Sequence, residues 1–167
     1  MRLTYTSRIL GFLLILFSFT QLIPIGVAFL YNEILEIRGF AYAFCISILS
    51  GLLLFFLSSN KKENLKTRDG FIITVFFWTV LALFGSFPFY FAHFNDFSFI
   101  DSLFESISGL TTTGATVFIG LDEMPKSILF YRQFLQWLGG MGIIVLAVAV
   151  LPLLGIGGMQ LYKAETP

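Results

Sequence analysis

The sequence predicts an all-α integral membrane protein with four transmembrane helices and one shorter, re-entrant helix that is followed by a loop. Two observations support this fold class. Hydrophobic residues make up 57% of the 167 residues and charged residues only 12%, whereas soluble domains carry about 45–50% and about 25%. Apolar segments long enough to cross a bilayer also recur along the chain. A water-soluble globule does not fit this composition, and the formal net charge of zero gives no overall indication of nucleic-acid binding.

Four segments have the length and composition of membrane spans. The first, Ile9 to Leu30, contains no charged residue and makes a helix of about 33 Å, enough for a hydrocarbon core of about 30 Å. It is longer than the core of a cleavable signal peptide, and no small-residue cleavage site follows it, so we expect it to stay in the mature protein. The other predicted spans are Phe40 to Leu57, Phe71 to Phe91 and Ser127 to Leu154.

These spans predict the organisation and the orientation of the chain. An extra helix pair covers residues 1–60, a cytoplasmic loop 61–70, a helix, pore loop and helix repeat 71–163, and a truncated end 164–167. Lys and Arg mark the cytoplasmic side of a membrane protein. Alternating spans place seven of the ten on one side: Arg2, Arg8, Lys61, Lys62, Lys66, Arg68 and Lys163. Both ends of the chain are then cytoplasmic, and the pore loop enters from outside.

The segment between the third and fourth spans is too polar for a lipid-facing helix. It carries Asp101 and Glu105, and its apolar part covers residues 100–110, which make a helix of only about 17 Å, half the membrane. Asp101 and Ser102 suit the first turn of such a helix. These features predict a re-entrant helix, followed by a loop at membrane depth that must be enclosed by protein or face a watery cavity.

The loop after this helix has the composition of an ion filter. Residues 111–116 read Thr-Thr-Thr-Gly-Ala-Thr. A ring of carbonyl oxygens can replace the hydration shell of a cation, and glycine most readily adopts the backbone angles that turn carbonyls toward one axis. The partial negative charge at the end of the short helix also favours a cation there. The predicted carbonyl donors are Thr111, Thr112, Thr113, Gly114, Ala115 and Thr116, with potassium at Thr112, Thr113 and Gly114.

Two longer motifs resemble a known family. Residues 101–116 read Asp-Ser-Leu-Phe-Glu-Ser-Ile-Ser-Gly-Leu-Thr-Thr-Thr-Gly-Ala-Thr, and residues 132–142 read Arg-Gln-Phe-Leu-Gln-Trp-Leu-Gly-Gly-Met-Gly. Together they closely resemble the first pore repeat of the Trk potassium transporters, TrkH and TrkG, and more distantly KtrB. The resemblance implies four such repeats around one axis in a longer polypeptide, preceded by an extra helix pair. We therefore expect the chain to be an N-terminal portion that supplies one quarter of a filter.

The resemblance also implies a function and partners. We expect potassium uptake across a bacterial inner membrane, no enzymatic activity and no cofactor in this chain. The expected partners are membrane lipid, the remaining pore repeats, a second copy of the complete pore protein and the cytoplasmic nucleotide-binding regulator TrkA. Residues 112–116 lack the second glycine and the tyrosine of the Thr-Val-Gly-Tyr-Gly loop of potassium channels, which predicts looser discrimination against sodium. The alternatives are a short single-loop cation channel that forms homotetramers, and a non-transporting membrane assembly subunit.

For several residues the sequence allows two interpretations. Glu105 and Arg132 either pair behind the filter and support it, because an unpaired charge at depth is expensive, or lie separately at the interface. The threonine and glycine cluster could be a helix-packing turn, but its length and flanks favour a filter. Three acidic residues either attract cations to the outer mouth or are ordinary loop charges: Asp96, Asp122 and Glu123. Three glycines predict close approach of the last helix to a neighbour, here the pore helix: Gly139, Gly140 and Gly142.

Overall fold

A computed structural model of the chain describes residues 2–58, 67–94 and 97–153. Over these residues the α-helices, in chain order, are α1 Arg2–Thr20, α2 Leu22–Leu30, α3 Ile34–Leu57, α4 Thr67–Tyr90, α5 Phe99–Leu110 and α6 Lys126–Leu153. Three stretches of the described chain are long and apolar enough to cross a membrane: Thr6–Leu30, Ile34–Leu57 and Ile72–Tyr90. The 28 residues of α6 make a helix of about 42 Å, which also exceeds the bilayer core. The protein is thus an all-helical membrane protein, as its composition predicts.

The first predicted span is divided into two helices. α1 and α2 meet at Gln21, whose buried side-chain amide donates a hydrogen bond to Ser47 of α3 at 3.3 Å. The predicted first span is confirmed as one apolar stretch, Thr6–Leu30, but its helix is interrupted at Gln21 and is not continuous as predicted. Pro24 explains the break, because it has no N–H to bond to the preceding turn. The hydroxyl of Thr20 also donates to the Phe17 carbonyl at 2.7 Å, which is typical of a locally distorted helix.

The other helices match the predicted spans, with differences at their ends. α3 begins earlier than the predicted Phe40, and α6 covers nearly the predicted range. α4 begins at Thr67, inside the segment predicted as the cytoplasmic loop 61–70, so that the last part of this loop is helical. The rest of the predicted loop and the predicted end at 164–167 lie outside the described residues.

The N-terminal helices and the repeat share one hydrophobic core. α1 lies along α3, where a β-carbon on Gly11 would come within 2.8 Å of the Gly51 carbonyl oxygen, so only glycine permits this approach. α5 packs between α4 and α6. The buried side chains that join these helices include Leu14, Phe17, Phe40, Phe89, Tyr131 and Leu135. The short helix α5 is therefore held on two sides by longer helices.

Two glutamates near the start of α3 connect this helix to the repeat. Glu33 accepts hydrogen bonds from the N–H groups of Lys126 at 2.6 Å and Ser127 at 3.0 Å, in the first turn of α6, where an anionic side chain is favourable. Glu36 accepts a hydrogen bond from the N–H of His93 at 3.2 Å, just after α4. The end of α4 and the beginning of α6 are thus both fixed to α3.

Candidate functional site

The short helix α5 begins with a capping box. The Ser98 hydroxyl accepts a hydrogen bond from the Asp101 N–H at 3.1 Å, and the Asp101 carboxylate accepts one from the Ser98 N–H at 3.2 Å. This reciprocal arrangement satisfies two N–H groups that a helix start leaves unpaired. Asp101 lies in the first turn as predicted, and the Ser102 hydroxyl donates to the Ser98 carbonyl at 3.1 Å. The 12 residues of α5 span about 18 Å, half a membrane.

The buried face of α5 is its polar face. Large apolar side chains on the opposite side are exposed, namely Ile100, Phe104 and Ile107. A surface helix of a soluble protein shows the reverse pattern. The buried residues are Ser102, Glu105, Ser106, Ser108, Gly109 and Leu110. Two of these residues, Glu105 and Ser108, direct hydrogen-bonding groups toward α6 and the following loop.

The loop after α5 has an alternating backbone. Thr112 has a φ of 58° and Gly114 a φ of 74°, whereas Thr111 and the other described neighbours have negative φ. Glycine adopts a positive φ readily, but a β-branched residue such as threonine does so at a cost of about 1–2 kcal/mol. When right-handed and left-handed backbone conformations alternate, successive N–H groups lie on the same side of the chain. The loop is thus a strained segment that its surroundings must hold in place.

Hydrogen bonds to α5 fix the direction in which the loop carbonyls point. The Thr112 N–H donates to the Gly109 carbonyl at 2.9 Å, and the N–H groups of Thr113 and Gly114 both donate to the Ser108 carbonyl, at 3.0 and 3.4 Å. A trans peptide directs its C=O opposite to its N–H, and no cis peptide occurs in the described chain. The carbonyl oxygens on the other side of these peptides belong to Thr111, Thr112 and Thr113. These three oxygens consequently point away from α5.

The side of the loop that faces away from α5, which we call its open side, is exposed to solvent. Residues 111–117 are all solvent-exposed, and within the described chain no donor bonds to the carbonyl oxygens of residues 111–114. The carbonyl of Ala115 differs, because it accepts a hydrogen bond from the Ser108 hydroxyl at 2.6 Å. The Thr111 hydroxyl donates to the Ile107 carbonyl at 2.8 Å and lies 2.8 Å from the Thr113 hydroxyl. The loop thus presents consecutive unpaired oxygens to a space beside the chain.

A buried carboxylate holds the far end of the loop. One oxygen of Glu105 accepts hydrogen bonds from the Thr116 hydroxyl and, at 2.9 Å, from the Val117 N–H. Its other oxygen accepts from Arg132 Nε of α6 at 2.8 Å, with side-chain exposures of 1% and 8%. The interpretation in which Glu105 and Arg132 pair is therefore the correct one of the two. Both oxygens of the carboxylate are paired, which a buried charge requires.

Aromatic packing continues this attachment beyond the carboxylate. The N–H of Phe118 donates to the Thr116 hydroxyl at 3.0 Å. The ring of Phe118 is buried and stacks on Phe97, with ring centroids 3.8 Å apart, and it also meets the edge of Phe89 at 5.6 Å. The chain that leaves the loop is therefore anchored in the core that joins it to the end of α4.

Glycines bring α6 against the end of the loop that adjoins α5, which we call its inner end. A β-carbon on Gly139 would lie 2.0 Å from the Leu110 carbonyl oxygen, so the predicted close approach to the pore helix is confirmed at this position. The other two predicted glycines are less confined. A β-carbon on Gly140 would lie 3.8 Å from Thr112 Cγ2, and one on Gly142 would lie 3.2 Å from the Trp78 ring.

Of the three acidic residues predicted either to attract cations or to be ordinary loop charges, two lie within the described chain. Asp122 and Glu123 are exposed in a short 3-10 helix, Leu121–Glu123, and Asp96 lies outside the described residues. Sequence reasoning also missed three contacts: those of Ser98, Ser108 and Glu33. The pattern Ser98-x-x-Asp101 was a readable capping-box signal. The other two depend on partners that are seven or more residues away, and no local pattern reveals them.

The fold and the site define a class of membrane protein in which two long helices flank a half-membrane helix and a carbonyl-lined loop. A family model described as "TrkH: Cation transport protein" matches residues 36–167, which include both helices and the loop. The chain belongs to this family.

Named relatives and a solved structure agree with this assignment. The chain is 58% identical to "Trk system potassium uptake protein TrkH" of Vibrio parahaemolyticus and 53% identical to the protein of that name in Escherichia coli K12, each over 96% of this chain. This chain is also 44% identical, over 96% of its own length, to "Trk system potassium uptake protein TrkG" of E. coli K12. The crystal structure of the V. parahaemolyticus potassium transporter TrkH superposes with a TM-score of 0.87 at 55% identity over 95% of this chain.

The relatives are longer than this chain. The matches cover 33% of the length of the three named relatives and 34% of the chain in the crystal structure. The chain therefore spans about one third of the proteins it matches.

Proposed function

We propose that the chain is the N-terminal portion of a potassium-uptake pore protein in a bacterial inner membrane, where it forms the extra helices and the first of four pore repeats. Potassium passes along the loop of residues 111–116 and binds at the backbone carbonyls of Thr112, Thr113 and Gly114. The observation that carries this proposal is the row of unpaired carbonyl oxygens on the exposed side of the loop. The relatives' names, which specify potassium uptake, support the choice of ion.

The geometry suits a cation that has lost part of its water. Carbonyl oxygens replace a hydration shell when several of them face one point, and one loop supplies only one side of such a ring. The other sides come from the remaining repeats of the complete protein, which would cover the exposed side of the loop. The C-terminal end of α5, with a partial charge equivalent to about −0.5, points toward the same region and favours a cation there.

The orientation follows from the distribution of basic residues. Seven of the ten Lys and Arg lie on the side assigned to the cytoplasm, so the mouth formed by Thr116 and the chain after it faces outward. Glu105 and Arg132 are then buried supports of the outer part of the filter and do not contact the ion. No covalent chemistry takes place, and the chain carries no cofactor. Nucleotides bind to a cytoplasmic regulator, TrkA, and the complete pore protein forms a dimer.

Two glycines allow a matched test of this function. Gly114 and Gly120 have nearly the same backbone conformation, with φ of 74° and 73°, and a β-carbon on either would meet no atom closer than 3.6 Å. Alanine at either position therefore adds a similar strain of about 1–2 kcal/mol. Only Gly114 lies in the proposed filter. The two substitutions thus separate an effect on the ion path from an effect on stability.

The experiment measures growth at limiting potassium, and rubidium uptake, in a strain that lacks its own potassium transporters. The full-length protein restores growth. Gly114→Ala reduces uptake by at least tenfold and Gly114→Arg abolishes it, whereas Gly120→Ala retains most of the uptake at equal protein in the membrane. Equal losses at Gly114 and Gly120, or no rescue by the parent protein, would overturn the proposed function.

A further inference from the structure

Ser108, in the last turn of α5, makes three contacts with the loop that follows it. Its carbonyl oxygen accepts hydrogen bonds from the N–H groups of Thr113 at 3.0 Å and Gly114 at 3.4 Å. Its hydroxyl donates to the carbonyl of Ala115 at 2.6 Å, and the residue is only 6% exposed. A single buried residue thus contacts three peptide groups of the loop, those that join residues 112–113, 113–114 and 115–116.

These contacts turn the peptides in opposite directions. Where the loop N–H groups bond to α5, the carbonyls on the same peptides point to the open side, as for Thr112 and Thr113. At Ala115 the carbonyl itself bonds to α5, so this peptide is reversed. The reversal occurs at the outer end of the loop, next to the residues that Glu105 holds. The Ala115 oxygen is consequently directed away from the side on which the other oxygens are free.

The hydroxyl of Ser108 behaves differently from its neighbours on the helix. Serine and threonine in a helix commonly donate to a carbonyl of the preceding turn, as Ser102 does to Ser98 and Thr111 does to Ile107. Ser106 is also buried, but on the side of α5 that packs against Gly85 of α4, and its hydroxyl has no partner within the described chain. Ser108 instead donates to a residue seven positions later. The bond therefore belongs to the loop and is not a local helix contact.

We propose that Ser108 is a positioning residue that sets ion specificity, in that its hydroxyl holds the Ala115 carbonyl toward α5 and thereby excludes one oxygen from the ion path. This inference rests on the proposed function of the loop. It goes further because it explains where the row of ion-coordinating carbonyls ends: the Ser108 side chain, which lies outside this row, removes the Ala115 carbonyl from it. The oxygens that coordinate the ion in this repeat then end at Gly114. When the hydroxyl is absent, the Ala115 carbonyl is free to turn to the open side and adds a mobile ligand that also fits the smaller sodium ion.

The test compares two serines in the full-length protein. Ser108→Ala removes the bond, and Ser106→Ala makes the same chemical change at another buried position of α5, against α4, where the hydroxyl makes no bond within the described chain. The measurement is the ratio of half-saturating concentrations for potassium and sodium in uptake into vesicles, which does not depend on the amount of protein. We expect Ser108→Ala to shift this ratio toward sodium by about two- to tenfold, the effect of one neutral hydrogen bond on an equilibrium. Ser106→Ala leaves it unchanged.

Two conservative variants distinguish positioning from a general structural role. Ser108→Thr retains the hydroxyl and keeps the parent ratio, whereas Ser108→Cys retains the volume with a weaker donor and gives an intermediate ratio. Ser108→Cys also provides the measurement if Ser108→Ala fails to reach the membrane. An unchanged ratio in Ser108→Ala or Ser108→Cys, or an equal shift in Ser106→Ala, would overturn this inference. The proposed function is tested separately, because it stands as long as potassium uptake depends on Gly114. Absence of potassium uptake by the parent would overturn both.

Discussion

The two ends of the loop are held by different kinds of interaction. At the inner end, neutral hydrogen bonds from the N–H groups of Thr112, Thr113 and Gly114 to carbonyls of α5 hold a strained backbone. At the outer end, the charged carboxylate of Glu105 binds Thr116 and Val117 and is itself paired with Arg132. The inner contacts come from a helix end that already has unpaired carbonyls, whereas the outer contacts need a dedicated buried ion pair.

This difference indicates how the loop combines precision with stability. A neutral hydrogen bond contributes about 0.5–1.5 kcal/mol, and one that involves a charged group about 1.5–3 kcal/mol. The outer attachment is therefore the stronger one, and it also ties the loop to α6 through Arg132. The inner attachment is weaker at each contact, but it sets the direction of the carbonyls of Thr111, Thr112 and Thr113, which no donor of the described chain occupies. We expect outer substitutions to destabilise the protein most, and inner ones to change transport more than stability.

Glu105→Gln is the strongest test of the outer attachment. It leaves Arg132 buried without a counter-charge, and breaking a buried pair in this way costs about 3–5 kcal/mol. We expect a large decrease in the thermal stability of the detergent-solubilised, full-length protein and a corresponding loss of potassium uptake. Arg132→Gln has a similar effect, and the double variant loses less than the sum of the two because neither charge then remains unpaired.

The control is Glu123→Gln, the same change at an exposed position, which we expect to stay within about 0.5 kcal/mol of the parent. Stability of Glu105→Gln within that same interval would show that the ion pair does not hold the outer end.

The sequence predicted much of this arrangement, and the reasons are physical. Length and polarity distinguish a half-membrane helix at residues 100–110 from a full span, and the observed α5 begins one residue earlier. The pairing of Glu105 with Arg132 was one of two open interpretations, because residues 27 positions apart have no fixed relation until α5 and α6 pack together. The break at Gln21 was missed, since an uncharged run that contains a few polar residues, here Ser18, Thr20 and Gln21, and one proline is also compatible with a continuous transmembrane helix.

The conformation of the loop was predictable at only one of its two unusual positions. Gly114 was singled out because glycine adopts a positive φ without cost, and the structure has it there. Thr112 also has a positive φ, although threonine is among the residues least suited to it. Its conformation belongs to the local hydrogen bonds that close the end of α5, from the Thr112 N–H to the Gly109 carbonyl and from the Thr113 N–H to the Ser108 carbonyl, a helix end that usually has glycine at the left-handed position. Because threonine stands there, the sequence lacks the glycine that would have signalled this helix end.

Gly139→Ala probes the inner end from outside the loop. The added carbon would lie 2.0 Å from the Leu110 carbonyl oxygen, which belongs to rigid backbone, so α6 and α5 must separate. Overpacking of this kind costs about 1–3 kcal/mol. It also shifts the residue that directly precedes the loop. We expect potassium uptake to decrease by at least tenfold, with a smaller effect on thermal stability than that of Glu105→Gln.

The adjacent Gly140→Ala is the matched control, because its added carbon makes only an ordinary contact of 3.8 Å with Thr112 Cγ2. Near-parental uptake in Gly140→Ala and reduced uptake in Gly139→Ala would place the effect at the Leu110 contact. Parental uptake in both variants would mean that the inner end tolerates displacement, contrary to the comparison of the two ends.

Ser98→Ala tests the part of α5 that is farthest from the loop, and we expect the smallest effect. The substitution removes one half of the capping box, and the loss of an N-cap costs about 1 kcal/mol. Thermal stability should therefore fall slightly while the ratio of potassium to sodium uptake stays constant, because both attachments of the loop lie in later turns. Ser98→Asn, which restores a capping oxygen, should recover the stability. A changed ion ratio in Ser98→Ala would show that the start of α5 also sets the loop, and that the two attachments alone do not determine its geometry.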